Sequence, residues 1–165
     1  EIALGIRLHR RVDALTDRHP ALHTARAAFG DGARRYAGIV LDLVGDHVLS
    51  MDWSRHGNDE LDVFCARAGA AIEAASPWFV LAGGRASSAA GFAELLRSYG
   101  TAAGLDRAIA RTAQRLRDPA PLLAAGENWQ RHVPAMQRAL PALLDDLLQA
   151  MHRDAPPSSA RTMRA

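Results

Sequence analysis

The stretch HRRVDALTDRHPALHTARAAFGDGARRYAGIVLDLVGDHVLSMDW, which runs from His9 to Trp53, decides the fold. It contains two helical patterns, and each carries acidic residues spaced four positions apart. Residues at this spacing lie on one face of a helix, so each pattern can direct its polar groups towards one point. Two such helices packed together would form a pocket of carboxylate and imidazole groups, which are ligands for a divalent cation.

The first helical pattern covers about residues 2–17 and is amphipathic. Its apolar side chains recur at helical spacing: Leu4, Leu8, Val12 and Leu15. A polar stripe of His9, Asp13 and Asp17 lies next to this apolar face rather than opposite it. We therefore expect these three side chains at the edge of the core and not out in bulk water.

The second helical pattern covers about residues 33–53 and is apolar round most of its circumference: Ile39, Val40, Leu41, Leu43, Val44, Val48, Leu49 and Met51. A helix of this kind is normally buried. Asp42 and Asp46 are therefore expected in or near the interior, where each carboxylate needs a cation, an arginine or several hydrogen bonds. His47 follows the second aspartate, and Gly45 before it favours close helix packing.

The rest of the chain also has helical patterns. Further helices are expected at about residues 20–29, from Asp59 to just before Pro77, at 89–99, at 102–117 and at 120–152, the last bent or split at Pro134 and Pro141. No segment shows the alternating pattern of a strand. The sequence therefore predicts an all-α protein with one helical domain over residues 1–153 and a disordered Pro/Ser/Arg-rich tail over residues 154–165.

The composition is typical of a soluble globular protein, with 48% hydrophobic and 23% charged residues. No apolar run approaches the roughly 18 residues of a membrane span, so no membrane association is expected. The single cysteine, Cys65, fits a reducing cytoplasm. The basic residues are all arginine and the pI is about 9.3, which favours an acidic partner. A net charge of only +2 and the lack of a recognised motif argue against nucleic acid, and the oligomeric state stays open.

Spacing alone leaves two interpretations of the aspartates open: they bind a metal ion, or they form ion pairs with nearby arginines. The candidate arginines are Arg10, Arg11, Arg34 and Arg35. The pair Asp42 and Asp46 favours the metal, because its helix is too apolar to be a solvated face. Two converging sets of residues four apart are also harder to explain as surface ion pairs than one set would be.

Two strings of residues resemble the acyl carrier protein phosphodiesterase family. They are HRR-x-D-x-LTD, within Gly5–Asp17, and LD-x3-DH-x-LS-x2-W, within Leu41–Trp53. They occur in the same order and at a similar separation as in that family, and a fainter likeness continues through residues 64–68, the region of Trp129 and the final helix. The resemblance implies an HD-like helical bundle, related to the all-helical HD metal phosphohydrolases.

The resemblance also implies an activity: hydrolysis of the phosphodiester that links 4′-phosphopantetheine to a serine of holo-acyl carrier protein, an acidic protein substrate. It implies Mn²⁺ as cofactor, with Mg²⁺ possible. Carried over by position, the ligand set is drawn from these residues: His9, Asp13, Asp42, Asp46 and His47. Asp17 or Asp46 would accept the proton of the attacking water, and an arginine such as Arg10 would neutralise the phosphoryl oxygens.

The chain departs from the family pattern in two places. The family has a His-x-His pair and a further acidic residue in a segment that would precede Glu1, so we expect part of the site to lie there. Residues 82–104 lack the aromatic side chains of the family. Two alternatives therefore remain: another HD-like metal phosphohydrolase that acts on a nucleotide or small phosphodiester, and a non-catalytic arginine-rich module that binds protein.

Overall fold

Helices make up almost all of the chain that the computed structural model describes, which is residues 2–154, with side chains for residues 7–151. The α-helices are α1 Ile2–Arg18, α2 Pro20–Ala27, α3 Ala37–Met51, α4 Leu61–Leu81, α5 Ala89–Ser98, α6 Ala102–Ala113, α7 Ala120–Gly126 and α8 Val133–Asp154. Single 3-10 turns cover Arg34–Tyr36, Trp53–Arg55 and Trp129–His132. No strand occurs between residues 2 and 154, so the all-α prediction is confirmed.

Helix α3 lies at the centre of the fold and contacts α2, α6, α7 and α8. Its buried side chains are Val40, Leu41, Leu43, Val44, His47 and Val48, together with Ala37. They pack into one core with residues of the other helices, among them Phe29, Leu105, Leu122 and Trp129. The prediction of a buried, largely apolar second helix is confirmed. Burial of this apolar surface gives the core its main stabilisation.

The predicted helix over residues 120–152 is split into two, as the prediction allowed, but the break lies elsewhere than predicted. Helix α7 ends at Gly126, a 3-10 turn follows, and α8 begins at Val133. The break is therefore not at a proline: Pro134 lies in the first turn of α8, where a missing N–H costs nothing, and Pro141 lies inside the helix on its exposed side. Of the predicted tail over residues 154–165, Asp154 ends α8 and the remainder lies outside the described residues.

Helix α4 was expected to stop before Pro77, and this is also wrong, because α4 continues to Leu81. The chain that returns from α4 is tied to the turn that precedes the proline. The N–H of Ser87 donates to Ser76 Oγ at 3.0 Å, and the N–H of Ala89 donates to Glu73 Oε1 at 3.1 Å. Beyond Pro77 the helical hydrogen bonds resume, with the N–H of Ala82 donating to the Trp78 backbone oxygen at 3.1 Å, although proline removes one such bond.

Helices α4 and α5 pack mainly against each other, beside the bundle of α1, α2, α3 and α8 that carries the candidate site. None of the described helices is both long and apolar enough to cross a membrane.

Candidate active site

A cleft of about 750 Å³ lies between α1, α3 and α8. One wall is polar: His9, Asp13, Thr16, Asp17, Asp42 and Asp46. The other wall is apolar and comes largely from α8: Leu22, Leu41, Leu49, Met136, Leu140, Leu143, Leu144 and Leu147. The structure therefore brings the two predicted acidic stripes together at one place.

The α1 side of the cleft carries the first stripe at helical spacing. His9 Nδ1 lies 3.3 Å from Asp13 Oδ1, and both side chains are exposed. Asp17 follows one turn later and forms an ion pair with Arg26 of α2. The expectation that this stripe borders the core is confirmed, because its side chains line the cleft beside the leucines of α8.

The α3 side carries Asp42 and Asp46, one turn apart on the same face. They were expected in or near the interior, and this is wrong: both are exposed residues. The physical reason is that open space of the cleft, rather than a packed helix, lies against this stripe of α3. The charged stripe of α3 thus faces open space, whereas its apolar side chains other than Met51 are buried or half-buried.

The walls of the cleft nevertheless keep much of the bulk water away from these two carboxyl groups. Burial raises the pKa of Asp42 from 3.8 to about 6; the charges of Asp17 and Asp13 also raise it, and Arg26 lowers it. Burial, and then the charge of Asp42, raise the pKa of Asp46 to about 6. An exposed side chain inside a cleft contacts some solvent, but the surrounding protein atoms replace much of the water that would otherwise stabilise its charge. Both groups therefore change charge near neutral pH.

Arg26, which sequence reasoning missed, does not itself line the cleft but binds Asp17, which does. Its guanidinium binds the Asp17 carboxylate, and Nη1 also donates to the Asp17 backbone oxygen at 3.2 Å. Its Nε is buried and has no hydrogen-bond partner among the described residues. A Cβ at Gly38 would lie 3.3 Å from Arg26 Nη2, so glycine at this position leaves room for the guanidinium. That glycine one turn before Asp42 was the only hint in the sequence.

His47 does not reach the cleft. Its Nδ1 lies 2.7 Å from the backbone oxygen of Tyr99, and its ring packs edge-on against Trp129 with centroids 4.9 Å apart. Consecutive residues of a helix point about 100° apart, so His47 cannot share a face with Asp46. Arg10 is exposed on α1 and does not line the cleft either.

The alternative interpretation was that the aspartates of the two stripes form ion pairs with arginines, and among the described residues only Asp17 does so. Asp17 pairs with Arg26, which was not among the predicted partners. Asp13 pairs with His9, and neither Asp42 nor Asp46 forms an ion pair with an arginine described in the structure. A larger depression of about 1000 Å³ lies beside Arg34 and Arg35, away from all of these groups.

The side chains of the cleft fit a divalent cation in kind but not in geometry. Carboxylate oxygens and an imidazole nitrogen are suitable donors. Burial first and neighbouring carboxylates second raise the pKa values of Asp42 and Asp46, and Arg26 offsets part of this at Asp42. Between residues 7 and 151, however, no three histidine, cysteine or acidic side chains come close enough together to hold a metal ion. The α1 pair and the α3 pair line one cleft as two separate groups.

The chain matches one enzyme family along most of its length. The family model described as acyl carrier protein phosphodiesterase matches residues 1–147. The chain is 49% identical over 55 residues to the acyl carrier protein phosphodiesterase of Photorhabdus laumondii, which is 33% of this chain and 28% of that protein. It is 53% identical over 53 residues to the enzyme of the same name from Pectobacterium atrosepticum, which is 32% of this chain and 28% of that protein. It is 44% identical over 59 residues to the enzyme of the same name from Escherichia coli, which is 36% of this chain and 31% of that protein.

The chain therefore aligns with less than a third of the length of each of these relatives. No solved structure matches it, and the HD-like character of the bundle stays a prediction.

Proposed function

The chain belongs to the acyl carrier protein phosphodiesterase family, and from this premise we propose that it hydrolyses the phosphodiester between 4′-phosphopantetheine and a serine of holo-acyl carrier protein. The observation that carries the proposal is the cleft, in which Asp42 and Asp46 have pKa values of about 6 and face the groups of α1. Carboxyl groups tuned towards neutral pH in a cleft are typical of acid–base catalysis.

The reaction adds water to phosphorus and breaks the bond between phosphorus and the serine oxygen. The water loses one proton, the serine oxygen gains one, and the products are apo carrier protein and 4′-phosphopantetheine. Asp46 accepts the proton of the water in this proposal. With a pKa of about 6 it is mostly ionised at neutral pH, yet it is a stronger base than an ordinary aspartate.

Arg26 neutralises the non-bridging phosphoryl oxygens in this proposal, in place of Arg10. Its guanidinium is held by Asp17 at the edge of the cleft, and its buried Nε is without a partner among the described residues. Asp17 is then a positioning residue rather than the base, because its carboxylate is occupied by the ion pair. A fixed guanidinium stabilises developing negative charge better than a mobile one.

A divalent cation, Mn²⁺ or Mg²⁺, is part of the proposal, with His9, Asp13 and Asp42 as the side chains that would hold it while Asp46 stays free as the base. When bound, such an ion supplies positive charge to the phosphoryl group and lowers the pKa of a bound water. Since the α1 and α3 pairs are separate groups, binding would have to draw them together. The single buried Cys65 supports a further proposal, that the protein acts in the reducing cytoplasm.

The direct test is the mass of holo-acyl carrier protein after incubation with the full-length protein and Mn²⁺. We expect conversion to the apo form, and a loss of about 100-fold or more in rate for Asp46→Asn, the size of effect typical of a lost general base. Asp145→Asn is the matched control, because Asp145 is exposed on α8 and does not line the cleft.

Two results would contradict the proposal: no mass change with the wild-type protein, or equal rates for Asp46→Asn and Asp145→Asn. Rapid hydrolysis of small phosphodiesters without conversion of the carrier protein would support the other reading, a metal phosphohydrolase with a small substrate.

A further inference from the structure

The position of the scissile bond constrains where the carrier protein docks; this inference rests on the proposed function. The phosphorus atom is joined directly to the serine oxygen, so it lies only one short side chain away from the surface of the carrier protein. The carrier protein must therefore sit on the rim of the cleft while the bond is broken. The question is which part of the rim is built to receive an acidic protein.

The Asp46 end of the cleft adjoins the junction between α5 and α6. His47, the next residue, lies 2.7 Å from the backbone oxygen of Tyr99. A Cβ at Gly100 would lie 3.8 Å from the Cβ of Ser50, one turn after Asp46. Burial, and then the charge of Asp46, raise the pKa of Tyr99, while Arg111 and Arg115 lower it. Tyr99 thus lies between the cleft and two arginines.

These two arginines belong to a row that lies along α6. Arg107 and Arg111 are on the helix, and Arg115 lies in the turn that follows it, so the three are spaced four apart. All three are exposed. Along a helix this spacing gives a row of positive charge about 12 Å long on one side.

The arginine row (Arg107, Arg111 and Arg115) has no acidic partner among the residues that the structure describes. Three arginines elsewhere form ion pairs: Arg26 with Asp17, Arg67 with Asp59 and Arg97 with Asp62. Within the row, Arg111 lies within hydrogen-bonding reach of the Tyr99 side chain, which carries no charge to offset it. Like charges four residues apart on a helix repel one another. The row therefore gives a local positive field beside the cleft, although the whole chain has a net charge of only +2.

We propose that the arginine row is the docking surface for the acidic carrier protein and places its serine at the Asp46 end of the cleft. The fitting partner surface is a helix with carboxylates four residues apart, because their spacing matches that of the arginines. Guanidinium groups suit this contact, since each can bind a carboxylate through two hydrogen bonds. The attraction weakens as salt screens the charges.

The test compares Arg111→Glu/Arg115→Glu with the control Arg85→Glu, an exposed arginine in the loop between α4 and α5. Two quantities are measured: the Kd for holo-acyl carrier protein, and the rate of hydrolysis of a small phosphodiester, bis-p-nitrophenyl phosphate. We expect the double variant to raise the Kd about tenfold or more at low salt and to leave small-substrate hydrolysis unchanged. The difference should shrink at about 0.5 M NaCl.

An unchanged Kd in a folded double variant would overturn the docking surface even if the carrier protein is hydrolysed normally. Conversely, the double variant could raise the Kd while the wild-type protein fails to convert the carrier protein to the apo form. That result would overturn the proposed function and still support the docking surface. Arg111 lies close enough to Tyr99 to affect it, so Arg107→Glu and Arg115→Gln serve as companion variants if the double variant does not fold. Each is expected to weaken binding by a smaller factor, and an unchanged Kd in both would overturn the proposal equally.

Discussion

At the scale of single residues, Asp46 is held in a state that disfavours its own charge. Its pKa in the folded protein is about 6, above the ordinary value of 3.8, because burial and Asp42 oppose ionisation. The protonated form stabilises the fold below the ordinary pKa, and this stability is lost as the pH rises through the folded value. Asp46→Asn removes the charge and keeps the shape. We therefore expect the variant to be about 1 kcal/mol more stable at about pH 7.5, after allowance for solvent screening of an exposed group.

The measurement is urea unfolding of wild type, Asp46→Asn and the control Asp145→Asn in metal-free buffer. At about pH 4 the difference between wild type and Asp46→Asn should largely vanish, because Asp46 is then protonated in the folded protein and close to its ordinary pKa of 3.8 in the unfolded chain. A stability gain of the same size at both pH values would show that charge at Asp46 is not its cause.

If Arg26 rather than Arg10 neutralises the phosphoryl oxygens, the two arginine-to-alanine substitutions should change kcat by very different factors. Arg26→Ala removes the guanidinium that Asp17 holds beside the cleft, and a loss of one such stabilising group typically lowers kcat by about 100-fold. Arg10→Ala should change kcat by less than about threefold, because Arg10 is exposed and outside the cleft. Steady-state kinetics on holo-acyl carrier protein decides between them, and a larger effect for Arg10 would reverse the assignment.

These residues also show what could be predicted from sequence. His9, Asp13, Asp17, Asp42 and Asp46 were placed together correctly, because spacing on a helix fixes which side chains share a face. The exposure of the last two depended on how α8 packs, which no local pattern contains. Arg26 meets Asp17 across the turn between α1 and α2, so its role depends on the angle between two helices.

At the scale of helices, the α4–α5 pair depends on one close approach. A Cβ at Gly69 would overlap the backbone oxygen of Ala89, at the start of α5. Gly69→Ala must therefore push the two helices apart, and overpacking of this kind costs about 1–3 kcal/mol. Gly32→Ala is the control, because a Cβ there meets nothing within 4 Å.

Thermal unfolding should show a lower Tm for Gly69→Ala than for Gly32→Ala, with hydrolysis of a small phosphodiester retained below the Tm. Loss of that activity in a folded variant would mean that α4 and α5 help to shape the cleft. The same pair explains why the end of α4 was mispredicted. Proline usually ends a helix, but α4 continues past Pro77, and the returning chain is tied to Glu73 and Ser76 just before the proline.

At the scale of the whole molecule, the cleft joins α1 to α3, and a cation bound there would link the two helices. Because it would bind the folded chain and not the unfolded one, Mn²⁺ at about 100 times its Kd should stabilise the protein by about 2.7 kcal/mol. Its affinity should fall as the pH drops through about 6, since protonated Asp42 no longer offers a charged ligand.

Calorimetric titration with Mn²⁺ and the shift in Tm measure this without reference to catalysis. Asp42→Asn should abolish both the heat of binding and the shift in Tm. His47→Gln should keep the response to Mn²⁺, because His47 packs against Tyr99 and Trp129 and does not reach the cleft. It should instead lower the Tm in the absence of metal, since it breaks a buried polar contact. If His47→Gln lost Mn²⁺ binding while Asp42→Asn kept it, the cation would bind beside His47, and the cleft would not be the metal site.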